Sequence, residues 1–274
     1  MTPLVSILMV NYNNARFLGD ALRSVLDQDF DSWELIFVEN GSTDQSFQIA
    51  QGIAHNNSRI HVISLEKRVD IPVARNKGLV SAQGRYIATL DSDDEWCPGR
   101  LSRQVQFMEQ RENGLIGVCG SFSVLIGESG AIIGYKPFPI THTECMRTIW
   151  YRNPFCHSAT LIRRSCLEEC GHYDETFGPA EDLELWYRIG ARYHLRNLPE
   201  WLIKYRVWGS SATFRNHRLM VRQTLRARGL GVNKHGHKAP LVAGLASFAC
   251  WAVQWMPPKC AQYLFNFWVV RQSV

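Results

Sequence analysis

The sequence predicts an α/β fold in which a mostly parallel sheet carries helices on both faces. Three observations lead to it: short apolar runs of strand length recur along the first 125 residues, amphipathic segments of helix length separate them, and polar residues cluster just after the runs end. Val5–Val10 is a continuous apolar run suited to a buried strand, and Ala15–Gln28 follows with Phe17, Leu18, Ala21, Leu22 and Val25 at helical spacing. Leu35–Val38 is a second strand, closed by Gly41-Ser42-Thr43-Asp44, a loop with a helix cap. Ile60–Leu65 is a third, Val73–Ala82 a helix, and Tyr86–Leu90 a fourth strand that runs straight into Asp91-Ser92-Asp93-Asp94. Pro98 stands near the start of a helix reaching about Asn113, and Ile116–Val124 returns to strand.

Beyond residue 125 the pattern loosens. Gly127–Gly134 reads as a hairpin, Thr143–Tyr151 as a short helix, Ala159–Arg163 as a strand, and Ala180–Arg192 as a helix that begins at Glu181-Asp182. Open parallel sheets bind ligands beyond the carboxyl ends of their strands, where Asn11, Glu39 and Asp91 fall.

With 274 residues, 46% of them hydrophobic and 20% charged, the chain can bury a core, which excludes a disordered segment. Its eight cysteines form no CxxC pair, and no secretory leader precedes Asn11, so reduced cytoplasmic thiols are expected rather than a disulfide scaffold. Collagen-like and multi-span membrane chains are excluded as well. The net charge of +5 is unevenly spread: residues 1–200 carry 19 Lys and Arg against 25 Asp and Glu, whereas residues 201–274 carry 11 basic residues and no acid.

Four segments have chemical character, and each has a plain structural reading beside a functional one. Asp91 and Asp93, two residues apart at a strand end, can share a hard divalent cation that bridges phosphate oxygens, or simply form an acidic turn. A phosphatase of the type that places its Asp-X-Asp after the first strand fits poorly, because here the pair follows the fourth. Glu39 can accept a hydrogen bond from the imide of a base, or belong to a strand-to-helix turn capped by Asp44. Arg75 can pair with a diphosphate or lie on a solvated helix face. Glu181 and Asp182 can cap a helix or supply a general base to a sugar hydroxyl.

Taken in order, Val5–Asn13, Val38–Asp44, Ala74–Gly78, Leu90–Asp94 and Glu181–Arg188 resemble the family 2 glycosyltransferases, over about residues 4–210. The resemblance implies the GT-A fold, a nucleotide-sugar-binding half over residues 1–125 and an acceptor half over 126–210; the charge pattern beyond it marks a basic helical tail over 211–274. It implies an inverting hexosyltransferase that moves a sugar from a nucleoside diphosphate, with a UDP-sugar expected, using Mg²⁺ or Mn²⁺. Carried over by position, Val10 and Tyr12 flank the base and ribose, Glu39 contacts the base where the family usually has Asp, and Asn40 replaces a second common Asp. Arg75 and Ser92 fall beside the nucleotide, Asp93 is the metal ligand and Asp91 lies between ribose and metal. Asp182 is the catalytic base with Glu181 in support, and Asn153, His157, Ser158 and Trp186 are expected on the acceptor side, His157 equally as a core residue. Many relatives follow a Tyr-Arg pair with His two residues later. Here Tyr205-Arg206-Val207-Trp208 places Trp there, leaving the metal to Asp93, diphosphate and water.

In the tail, Arg215, Arg218, Arg222, Arg226 and Arg228 precede Ala239–Met256, a nearly uncharged stretch with Phe248, Trp251 and Trp255. Basic residues beside Trp-rich apolar segments fit a peripheral anchor on the anionic inner face of the cell membrane, against the alternatives of packing on the domain, homo-oligomerisation or a span. No nucleic-acid-binding motif accompanies them. The expected acceptor is a glycan or lipid-linked hydroxyl in surface polysaccharide assembly. The competing expectation is a catalytically weak nucleotide-sugar-binding subunit that docks a partner at the membrane.

Overall fold

Alternate side chains of the first strand, β1 (Val5–Asn11), go to opposite faces of the sheet, and both faces are apolar. Val5, Ile7 and Met9 join one core with Trp33, Leu35 and Phe37 of β2 (Trp33–Glu39); Leu8 joins the other with Ile36 and Val38. A strand buried on both faces needs helices on both. The first core is covered by α1 (Ala15–Leu26), α2 (Ser46–His55) and α4 (Arg100–Glu109). The second is covered by α3 (Ile71–Ser81), α5 (His142–Thr148), α6 (Arg164–Cys170), α7 (Glu181–Gly190) and α8 (His217–Asn233). The computed structural model describes residues 2–209, 217–240, 243–244 and 247–248.

The remaining strands are β3 (Ile60–Ser64), β4 (Tyr86–Thr89), β5 (Glu95–Trp96), β6 (Ile116–Ile126), β7 (Ile132–Lys136), β8 (Leu161–Arg163) and β9 (His194–Arg206). They form one sheet in the order β3-β2-β1-β4-β8-β6-β9-β5, with β7 added to β6. The pairs among β3, β2, β1 and β4 are parallel, as is β6 with β9; β8 enters antiparallel to β4 and β6. The sheet runs unbroken through both expected halves. In the parallel half, Asn11 is level with Glu39 and Glu39 with Ser64, so the polar residues after each strand meet at one edge.

Most helices start where the sequence places them. α3 begins with Pro72 in its first turn, and α5 is closed by a capping box between Thr141 and Glu144. α4 starts after Gly99, whose φ of 77° is open to glycine at little strain. Three elements lie outside the sequence expectation: the two-residue β5, α6, and β9 from His194 onward.

Part of the basic tail packs on the domain. Ala227 of α8 is buried in the second core, a Cβ on Gly231 would meet the Tyr187 ring at 2.6 Å, and His237 Nε2 lies 2.8 Å from the Tyr187 carbonyl. Arg228 is buried and donates to the Tyr151 carbonyl, whereas Arg218 and Arg222 are exposed. Arg215 and most of Ala239–Met256 lie outside the described residues, as does everything after residue 248. Among the described residues no helix is long and apolar enough to cross a membrane.

Candidate active site

The floor at the carboxyl edge of the parallel strands is laced by side chains of the first two strand-to-helix loops. Asn13 adopts a φ of 52°, a left-handed conformation Asn tolerates, and its Oδ1 accepts from the Thr43 amide at 2.8 Å. Asp44 accepts from the Ala15 and Ser46 amides at 2.9 and 3.0 Å, and so ties the starts of α1 and α2 together. Glu39 is 2% exposed and both its oxygens are used within this floor: Oε2 accepts from Asn11 Nδ2 and Oε1 from the Ser42 amide, each at 2.9 Å. Its carboxylate thus organises the loop from which a base contact was expected. Val10 is half-buried beside the second core, and the half-buried Tyr12 ring carries the Arg68 guanidinium at 4.3 Å.

The acidic loop after β4 is held residue by residue. The Asp91 amide donates to Ser158 Oγ at 3.1 Å, and Ser92 Oγ accepts from Asn14 Nδ2 at 2.9 Å. Asp93 Oδ2 accepts from the Trp208 indole Nε1 at 2.8 Å. Arg206 donates through Nε to the Asp93 carbonyl and through its amide to Asp94 Oδ1, both at 2.8 Å. Asp94 is therefore an internal residue of the loop, and burial, then the charges of Asp93 and Asp91, push its pKa well above the usual carboxylate range. Burial and the Asp91 charge push Asp93 up to about 6 against the opposing Trp208 bond.

Whether these residues suit a divalent cation can be judged from the donor set. Asp91 and Asp93 offer hard carboxylate oxygens on one loop, and their mutual repulsion is what a cation would relieve. Among the described residues no group of three or more His, Cys, Asp and Glu side chains is arranged around one point. The pair therefore fits an ion such as Mg²⁺ or Mn²⁺ that keeps waters and takes further oxygens from a substrate.

Arg75 of α3 joins this loop to the acidic pair of α7. The residue is 6% exposed, Nη2 donates to Asp91 Oδ1 at 2.9 Å, and Nη1 lies 3.2 Å from Glu181 Oε1. Burial alone would weaken its hold on the proton, but the charge of Asp91, joined by Glu181 when that carboxyl ionises, outweighs it and keeps Arg75 cationic. Arg75 Nη1 and Tyr173 Oη approach His157 Nε2 at 2.7 and 2.9 Å. A guanidinium only donates, so the ring nitrogen that accepts from Arg75 carries no proton and the ring is neutral, in keeping with burial and the Arg75 charge, which push the His157 pKa well below its ordinary value. His157 thus packs against Arg75 as a partner within the cluster.

At the start of α7, Asp182 Oδ2 accepts from Asn153 Nδ2 at 2.5 Å and Oδ1 from the Leu183 amide at 2.7 Å. Burial raises its pKa, which makes it a better proton acceptor, while these two donors favour the carboxylate form. Neighbouring Glu181 is pushed up to about 8 by burial, against the pull of Arg75. Trp186 differs from expectation: it is 0% exposed, packed against Phe155 at 5.2 Å, with α7 enclosed between the sheet and α8. It is a core residue behind His157 and has no surface to offer an acceptor.

Glu181 gives a stability test that needs no substrate. Its pKa is about 8 in the folded protein against an ordinary 4.5, so between those values the native state keeps a proton that the unfolded chain has lost. The Glu181 contribution to stability therefore falls as pH rises from about 4.5 to about 8. Glu181→Gln removes that dependence, and its Tm relative to wild type is expected to climb across this window. A flat difference by calorimetry would place the raised pKa elsewhere.

Arg68 and Tyr173 complete the site without any local signal in the sequence, recruited by tertiary contact, whereas Arg206 and Trp208 come from the Tyr-Arg-Val-Trp segment. Residues 6–171 match the family model described as Glycosyl transferase family 2. EpsE of Bacillus subtilis, named as a glycosyltransferase, is 33% identical over 210 residues, covering 74% of this chain and 73% of EpsE. The O-antigen biosynthesis glycosyltransferase WbnJ of Escherichia coli is 27% identical over 214 residues, 76% of this chain and 81% of WbnJ. TuaG of B. subtilis, named as a glycosyltransferase of teichuronic acid biosynthesis, is 46% identical over 109 residues; the match spans 40% of this chain and 43% of TuaG. Among solved structures, the mannosyltransferase PcManGT from Pyrobaculum calidifontis, in complex with GDP-Man and Mn²⁺, aligns with a TM-score of 0.66 at 16% identity over 100% of this chain and 73% of its own. TarS 1–349 from S. aureus, in complex with UDP, aligns with a TM-score of 0.62 at 19% identity, covering 98% of this chain and 87% of that one. At such identities the structural likeness is one of fold, and that fold is GT-A. The order of these site residues along the chain, the match over residues 6–171 and the extended likeness to EpsE lead to one assignment: the chain belongs to glycosyl transferase family 2.

Proposed function

We propose that the protein transfers a sugar, with inversion, from a nucleoside diphosphate donor to a hydroxyl of a glycan or lipid-linked acceptor in surface polysaccharide assembly. The observation that carries this reading is the Arg75 bridge, which joins Asp91 of the cation-suited loop to Glu181, next to the base Asp182. Asp182 accepts the acceptor proton as the hydroxyl oxygen bonds to the anomeric carbon and the bond from that carbon to the diphosphate breaks. Asn153 fixes the Asp182 carboxylate, and Glu181 beside it holds its own proton at neutral pH. A Mg²⁺ or Mn²⁺ ion held by Asp91 and Asp93 would neutralise charge on the departing diphosphate. Val10, Tyr12, Arg68 and Ser92 line the donor side, with Glu39 beneath them.

The donor class draws support from PcManGT in complex with GDP-Man and Mn²⁺ and TarS in complex with UDP, and the process from WbnJ and TuaG. A purely docking subunit is not favoured, since the chain keeps both Asp93 and Asp182 and its relatives EpsE and WbnJ are named as glycosyltransferases. The domain boundaries proposed are 1–210 for the catalytic unit and 211–274 for the tail. Arg218 and Arg222 on the exposed side of α8 suit an anionic bilayer surface, at about 1 kcal/mol for each well-placed cation.

Thermal denaturation with UDP-, GDP- and dTDP-nucleotides, each with and without Mn²⁺, tests the donor reading. Saturation to about 100 times Kd adds roughly 2.7 kcal/mol of stability, a Tm rise of about 5–10 °C for a chain of this size. The expected result is a Mn²⁺-dependent rise with one nucleotide. No rise with any, in folded protein, would overturn the reading.

A further inference from the structure

The C-terminal end of β9 holds Asp93 twice, once through its backbone and once through its carboxylate. Arg206 takes the backbone: its Nε donates to the Asp93 carbonyl, while Nη2 donates to Glu95 Oε1 at 2.6 Å. The Trp208 indole takes the carboxylate, at 2.8 Å to Oδ2. Neither contact is free to drift, because both side chains are set on Phe17 of α1. The Trp208 ring meets Phe17 edge-on at 5.2 Å and 68°, and the Arg206 guanidinium lies 4.6 Å from the same ring. Phe17 is itself 4% exposed.

An indole N–H is a donor only: it cannot ligate a cation, carries no charge and does not titrate. Its effect on Asp93 is to fix the rotation of the carboxylate and occupy one oxygen. A carboxylate already oriented by the protein loses less freedom when it takes a ligand, and hydrogen-bonded partners of this kind commonly change metal affinity by about 10–100-fold.

We propose that Trp208 is a positioning residue for the cation site: its indole N–H pins Asp93 Oδ2 and presents the carboxylate to a divalent ion that Trp208 itself never touches. This rests on the reading of Asp91 and Asp93 as the cation loop. Trp208 is then more than the absence of a ligating side chain at this position, since it prepares the ligand that remains.

The test is Mn²⁺ binding to the whole protein, read from the free-ion electron paramagnetic resonance signal, with Tm in the absence of metal measured alongside. Trp208→Phe keeps a ring on Phe17 but deletes the N–H. It is expected to weaken Mn²⁺ binding about tenfold with little change in metal-free Tm. Replacing Trp208 with β-(3-benzothienyl)alanine keeps the bicyclic ring on Phe17 and removes only the N–H, and is expected to weaken Mn²⁺ binding as Trp208→Phe does, which separates the hydrogen bond from packing. Unchanged or tighter binding in Trp208→Phe, or wild-type binding with the benzothienyl side chain, would overturn the proposal. Asp93→Asn distinguishes the levels of failure. If wild type takes up no Mn²⁺, the cation reading fails and this proposal falls with it. If wild type binds, Asp93→Asn does not and Trp208→Phe equals wild type, only the role of Trp208 is lost.

Discussion

Asp182→Asn is expected to lower sugar transfer by about 10²–10⁴-fold, the usual contribution of a positioned general base, while the nucleotide-dependent rise in Tm persists. The amide keeps the shape of the carboxylate, and its one oxygen can still accept from the Leu183 amide, so the α7 start is little disturbed although the Asn153 bond is lost. What it loses is the capacity to take a proton. Glu181 does not substitute for it: it stands beside Asp182 with its carboxyl turned to Arg75 and protonated at neutral pH, its pKa near 8. Single-turnover transfer to an acceptor extract, set beside the thermal shift, separates the two effects. Equal loss of nucleotide binding and transfer would assign Asp182 to the donor site instead. The same logic fixes the sign of the pH dependence: transfer falls as pH drops through the raised Asp182 pKa, because the protonated carboxyl accepts nothing.

The parallel half of the sheet was legible because each apolar run ends where its strand ends, and the polar residue that follows marks the carboxyl edge. Asn11, Glu39 and Asp91 were placed there by nothing more than run length. β9 hid for physical reasons. His194-Leu-Arg-Asn-Leu-Pro-Glu reads as a polar loop, yet Asn197 is buried and its side-chain N–H groups donate to the Pro139 and Pro154 carbonyls, so these donors are satisfied inside. The register with β6 also shifts between Ser121 and Phe122 and again before Ser123, which breaks the period-two pattern a strand would otherwise print. Trp186 was misplaced for a related reason. α7 is enclosed on nearly every side, with Glu181, Leu183, Glu184, Leu185, Trp186, Tyr187 and Ile189 all buried, so helical spacing offers no exposed face on which to set an acceptor residue. Trp208 and Asp93 are 115 residues apart, and no local pattern announces a contact at that separation.

Arg75→Met should unfold more easily and lose both halves of the site at once. The substitution keeps the volume of the aliphatic stem but leaves Asp91 and Glu181 without their shared cation. Removing one partner from a buried ion pair commonly costs about 3–5 kcal/mol, and about 3 kcal/mol is expected here. The lower end applies because the Asp91 side chain is 37% exposed and can recover water, while Glu181 can escape by keeping its proton. In wild type Glu181 ionises near pH 8 with Arg75 beside it, whereas without Arg75 it must keep its proton, so the deficit in urea denaturation should widen as pH rises above about 8. Arg75→Lys makes a sharper distinction. An ammonium restores one positive charge but not the planar fork that reaches Asp91 Oδ1 with Nη2 and Glu181 Oε1 with Nη1. Lys is therefore expected to recover much of the stability and little of the transfer rate. If Arg75→Met were as stable as wild type at pH 9, the cluster would carry no uncompensated charge, and the coupling between the cation loop and the base would have to run through His157 and Tyr173 instead. If Lys restored transfer as well as stability, charge alone would suffice and the two-pronged geometry would be incidental.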